Sequence, residues 1–132
     1  MPLAFELARE QNPYVAFARI DGRHPYRDAV PGGHVDYRAR RRRDGEVAFF
    51  NYGLAREMGL IPADHPDSMV KALRAAILDA FALVIVNEYD LAHGVRVPPA
   101  DLRPHPYMAT RYLQLQHPGR RGATSGDGRS VW

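Results

Sequence analysis

The residues best suited to chemistry by type and spacing are Gly126-Asp127-Gly128-Arg129, three residues before the last. Two glycines let backbone N–H groups converge on an anion with no Cβ in the way, and the arginine adds a fixed planar fork. Asp127 would orient such a loop or face a metal, because a carboxylate beside a phosphate is repelled. Taken alone, the tetrapeptide reads equally well as a hairpin turn. A second candidate is the arginine run "RARRRR", Arg38 to Arg43. Clustered arginines neutralise phosphates and release counterions. This run sits beside a turn, no aromatic side chains alternate with it, and 15 acidic residues nearly balance 18 basic ones over the chain. It reads as a solvated loop, and nucleic acid is not the expected partner.

Other chemistry is thinly provided. His24, His34, His65, His93, His105 and His117 form neither H-x-x-x-H nor H-E-x-x-H, and each neighbours a proline or glycine. That pattern suits surface loops better than a metal site. Asp79 and Glu88 are nine residues apart, half a turn out of alignment on a helix, and make no evident acid–base pair. The absence of cysteine excludes disulfides and thiolate chemistry from these residues. Lys71 is the only lysine, so amine chemistry has one candidate.

A chain of 132 residues is long enough to bury one core, and an apolar share of 45% with 25% charged is globular. The start "MPLAFELARE" lacks a basic segment leading to an apolar one, and the longest apolar run, "AFALVIV" (80 to 86), is far too short to cross a bilayer. A cytoplasmic protein with no membrane partner is expected.

Several elements must position these residues. Prolines 13, 25 and 31 with Gly32-Gly33 mark the first forty residues as loops with short extended pieces, "YVAFARI" (14 to 20) among them. "VDYRAR" (35 to 40) and "EVAFFN" (46 to 51) read as strands of a hairpin turning at Asp44-Gly45. Asn51 caps a short helix, "YGLAREMG", with Leu54, Ala55 and Met58 on one face and Gly59 as its stop. From an N-cap at Asp67 or Ser68, apolar residues at Val70, Leu73, Ile77, Phe81 and Val84 recur at helical spacing and predict one helix from 68 to about 92. The competing reading makes "FALVIVNEY" a buried strand. "YMATRYLQLQ" (107 to 116) is a further helix or strand.

Taken in order, "FARI" (17 to 20), "VDYRAR", "VAFFNYGLAREMGL" (47 to 60) and Gly126 to Arg129 resemble the N-terminal part of the selenoprotein O family. These are protein adenylyltransferases with a pseudokinase fold. Asn51, Leu54, Ala55, Gly59 and Leu60 match the family's N-x-x-L-A-x-x-L-G-L pattern. Where the family carries G-H-Q-F-G and a tryptophan ahead of its G-D-G-R, this chain has "LQLQHPGRRGATS".

The resemblance implies an α+β fold, part of a kinase-like N-lobe with short strands and one long helix, with residues 1–132 the beginning of a single domain. It implies ATP-dependent transfer of AMP to serine, threonine or tyrosine hydroxyls of proteins. Gly126, Gly128 and Arg129 would contact ATP, while the catalytic aspartate and the magnesium ligands would lie outside these residues. The chain would then be inactive alone and leave apolar surface uncovered on the long helix and on "VAFF". Two other readings stand beside it: a small α+β binding module in which G-D-G-R is only a turn, and an arginine-rich nucleic-acid module.

Overall fold

The computed structural model describes residues 4–110 and 130–131. Among them are five α-helices: α1 (Ala4–Gln11), α2 (Pro25–Ala29), α3 (Tyr52–Glu57), α4 (Lys71–Phe81) and α5 (Glu88–Ala92). Two 3-10 turns, Val15–Arg19 and Pro99–Asp101, add to them. Four short strands, β1 (His34–Arg41), β2 (Leu83–Val86), β3 (Tyr107–Thr110) and β4 (Ser130–Val131), form an open sheet in the order β2-β1-β3-β4. This corrects the kinase-like expectation. The described residues are mostly helical, and the longest helix has only 11 residues.

The chain folds as two compact units. The helical unit comprises Met1–Ile20 and Arg42–Leu83, and the sheet unit comprises Asp21–Arg41 and Val84–Trp132. In the helical unit, Tyr14, Phe17, Ala55, Ile61, Leu73, Ile77 and Ala80 form the core, with Leu73 and Ile61 wholly shielded from solvent. Leu73, Ile77 and Ala80 fall three and four apart, so one face of α4 supplies most of the helical contribution. The loop after α3 is braced from several sides. Arg9 donates to the Ile61 carbonyl at 3.2 Å, and Arg56 donates to the His65 carbonyl at 2.9 Å while pairing with Asp67. The Tyr14 hydroxyl lies 2.8 Å from His65 Nε2, and His65 Nδ1 lies 2.7 Å from the Pro66 carbonyl. With Nδ1–H donating to that carbonyl, Nε2 accepts the phenol proton.

In the sheet unit, β1 alternates as a half-buried strand should: Tyr37 and Ala39 point inward, and Asp36 and Arg38 face solvent. It pairs antiparallel with β3, placing Val35 opposite Ala109 and Tyr37 opposite Tyr107. Ser130 of β4 pairs with Ala109. The Tyr37 hydroxyl donates to Glu88 at 2.6 Å. Asp21 accepts from the Arg23 backbone N–H at 3.2 Å and pairs with the Arg23 guanidinium at 2.7 Å. Burial pushes the Asp21 carboxyl up, but the two Arg23 hydrogen bonds and the charges of Arg23 and His105 outweigh it and leave the pKa below the ordinary aspartate value.

Several expectations change here. The predicted helix over 68 to 92 is three elements. It begins at Lys71 behind Val70, which makes no side-chain cap, and stops at Ala82. The run Leu83–Val86, β-branched at Val84, Ile85 and Val86, then joins the sheet beside β1, as the competing reading held for part of this stretch. Asn87 and Asp90 form a reciprocal capping box that restarts a helix, α5. "YVAFARI" is a 3-10 turn rather than a strand, and α1 and α2 occupy ground read as loops. Residues 46–51 are not a strand, so Asp44-Gly45 turns the chain without making a hairpin. The α3 helix forms as expected: Asn51 accepts from the Leu54 N–H, and Gly59 has φ +71. Of its anticipated apolar face, only Ala55 is buried.

Candidate functional site

The helical unit carries an open groove of about 770 Å³. One wall is the C-terminal half of α4, with Ile77, Leu78 and Phe81, and the other is the irregular segment running from Gly45 to Phe50. The two walls are fastened at one end. The Arg42 backbone N–H donates to the Ala82 carbonyl at 2.8 Å, and Gly45 lies so close to α4 that an added Cβ would sit 3.1 Å from the Ala82 Cβ. A side chain at position 45 would need Ala82 or the turn to give by a few tenths of an ångström. Val47 and Phe50 then turn toward the core and hold the segment by side-chain packing.

Two features of this groove are unusual for a solvated surface. Phe49 is 83% exposed and Phe81 54% exposed, although both are large and apolar. Exposed aromatic residues that line one groove together can contribute to a contact surface. The second feature lies in the backbone. Among the described residues, no backbone hydrogen bond engages any residue from Glu46 to Phe50, a run of five. Main-chain donors and acceptors are nearly always paired in folded proteins, with protein or with water. Here they border an apolar slot. Arg42, Asp44 and Glu46 also line it and bring charges of both signs.

The expectation of uncovered apolar surface on "VAFF" and on the helix that follows therefore meets Phe49 and Phe81 around one groove. The other sequence candidates fare differently. Gly126, Gly128 and Arg129, expected to contact ATP, lie outside the described residues, as does His117. The arginine run is not a solvated loop along its whole length: Arg38 to Arg41 belong to β1, where the pleat sends Arg38 outward and buries Ala39. His24 caps α2, His65 braces the loop after α3, and His93 closes α5. Among the described residues, no group of three or more His, Asp or Glu side chains is arranged to hold a metal ion. No helix there is long and apolar enough to cross a membrane.

One site was missed in the sequence, the cluster of Asp21, Arg23 and His105. Its signal was available, since Asp-Gly-Arg occurs both at 21 to 23 and at 127 to 129. At the first of these, Gly22 has φ +91, a conformation that favours glycine.

The described residues thus form a small, mostly helical two-unit fold whose helical unit carries a groove bordered by backbone that makes no backbone–backbone hydrogen bond. No protein-family model matches the chain, and no curated protein or solved structure matches it. The adenylyltransferase activity implied by the resemblance is overturned by the fold. The described residues make no pseudokinase lobe and present no metal-binding group, and nothing in them is specific to nucleotidyl transfer.

Proposed function

We propose that the helical unit is a docking module that receives an extended polypeptide segment of a partner protein in the groove between α4 and residues 45–50. The observation that carries this reading is the coincidence of the five-residue run lacking backbone partners with the exposed Phe49 and Phe81. A segment laid beside Glu46–Phe50 would satisfy the N–H and C=O groups of every second residue, and its alternate side chains would enter the slot lined by Leu78 and Phe81. Main-chain bonding supplies affinity in such a mode, and the pocket selects apolar residues at every second position. With Arg42, Asp44 and Glu46 in the lining, a partner carrying charges of both signs beside its apolar residues is favoured.

The reading is tested by selecting binders from a displayed library of random octapeptides on the full chain, then measuring the selected peptides against Phe49→Asp. Enrichment of sequences with alternating apolar residues, and at least roughly tenfold weaker binding to the variant, is the expected result. Peptides without that pattern, or equal affinity for both proteins, would overturn it.

A further inference from the structure

The groove of the helical unit is bordered by a segment that has the composition of the ligand it takes. Glu46–Phe50 combines an exposed apolar side chain, charges of both signs beside it at Arg42, Asp44 and Glu46, and a main chain that makes no backbone–backbone hydrogen bond. Phe49 lines the groove and is still 83% exposed, so it does not fill the slot of its own chain. Knob and slot therefore lie side by side on one surface. Val47 and Phe50 are packed against the core of their own unit and hold the run in place. Ala48, between them, is exposed and carries only a methyl group, so a second backbone can approach closely there.

From this we infer that two copies of the chain pair through this surface, antiparallel about a two-fold axis at Ala48, each laying Phe49 into the groove of the other against Leu78 and Phe81. The inference rests on the docking reading of the groove and names its partner as a second copy. A two-fold contact of this kind needs one self-complementary patch, and each copy serves as both strand and receptor. Centring the pair on Ala48 sets Val47 opposite Phe49 and Glu46 opposite Phe50 of the other copy. The one charge in the run thus never faces its own counterpart, which like charges in a cross-strand pair would make costly. Five residues a side is far below the roughly 20–30 of a stable interface. The pairing is accordingly weak, and the dilute chain is a monomer whose run stays open to other segments.

Sedimentation equilibrium of the full chain between about 10 µM and 1 mM tests this. The average mass should rise from one chain toward two, and saturating selected octapeptide should return it to one. Phe49→Asp weakens dimerisation at least roughly tenfold, whereas Leu91→Ser, at an exposed position of α5 in the sheet unit, leaves it unchanged. The axis is tested by charge. Ala48→Glu and Ala48→Lys should each stay monomeric, and an equal mixture should recover the dimer, because opposite charges then face each other. Position 48 is exposed, so both variants keep the fold. A chain that stays monomeric at the highest concentration yet binds the octapeptide would overturn the inference and leave the docking reading standing. Absence of octapeptide binding as well would remove both. Dimerisation that survives Phe49→Asp, or position-48 variants that fail to complement each other, would place the contact elsewhere and overturn the inference.

Discussion

The helical unit and the sheet unit are stabilised by different means. The first encloses seven buried residues in one cluster, two of them fully shielded, and its polar contacts brace a loop over that core. Among the described residues the second buries Tyr37, Ala39 and Val86, and it carries side-chain bonds such as Tyr37–Glu88 and Asp21–Arg23. Apolar burial is non-directional and insensitive to pH, whereas ion pairs and charge-assisted hydrogen bonds depend on geometry and protonation. The same division separates the two sites. The groove belongs to the helical unit, and the cluster of Asp21, Arg23 and His105 to the sheet unit.

The contrast can be broken by substitutions of decreasing severity. Leu73→Ala should have the largest effect, lowering the unfolding free energy by about 2–5 kcal/mol because a fully buried side chain leaves a cavity. Amide exchange should accelerate more in α4 and the Val15–Arg19 turn than across the β1–β3 ladder. Equal loss in both units would erase the distinction. Tyr37→Phe comes next, costing about 1.5–3 kcal/mol, since the hydroxyl bonded to the Glu88 carboxylate is lost from a buried ring. Its exchange effect should fall mainly on the sheet unit.

Acid provides a gentler test. The depressed pKa of Asp21 means that its ionised form is favoured by folding, so its contribution is present above the ordinary aspartate value of about 4 and is lost as pH falls below it. Asp21→Asn should flatten that part of the acid limb of the stability curve measured by urea unfolding. An unchanged acid limb would remove Asp21 from the polar framework.

How much of this was legible in the sequence follows the same physics. Local signals read true where one residue decides the outcome: Asn51 caps α3, Gly59 ends it, and "VDYRAR" is a strand with Tyr37 and Ala39 inward. Periodicity misled between 82 and 92, because Val84 lies on the helical repeat and yet belongs to a β-branched run that pairs in the sheet. The Asn87–Asp90 box held the clue to the restart at α5. Pro25 was read as loop punctuation, although behind a side chain able to cap, proline suits the first turn of a helix. "EVAFFN" has strand composition, but Val47 and Phe50 are used for packing on the helical core, and no local pattern reports that tertiary choice. The groove was half legible, as exposed "VAFF". The Asp21–His105 cluster depends on residues more than eighty positions apart.

The central claim is that Glu46–Phe50 offers its backbone to a partner strand. Amide hydrogen exchange on the full chain, with and without a saturating selected octapeptide, tests it most directly. Alternate amides of this run should exchange quickly in the free protein and slow by roughly tenfold or more when the peptide is bound, while the amides of β1 remain unchanged. Protection already present without peptide, or no slowing at these positions on binding, would contradict the account.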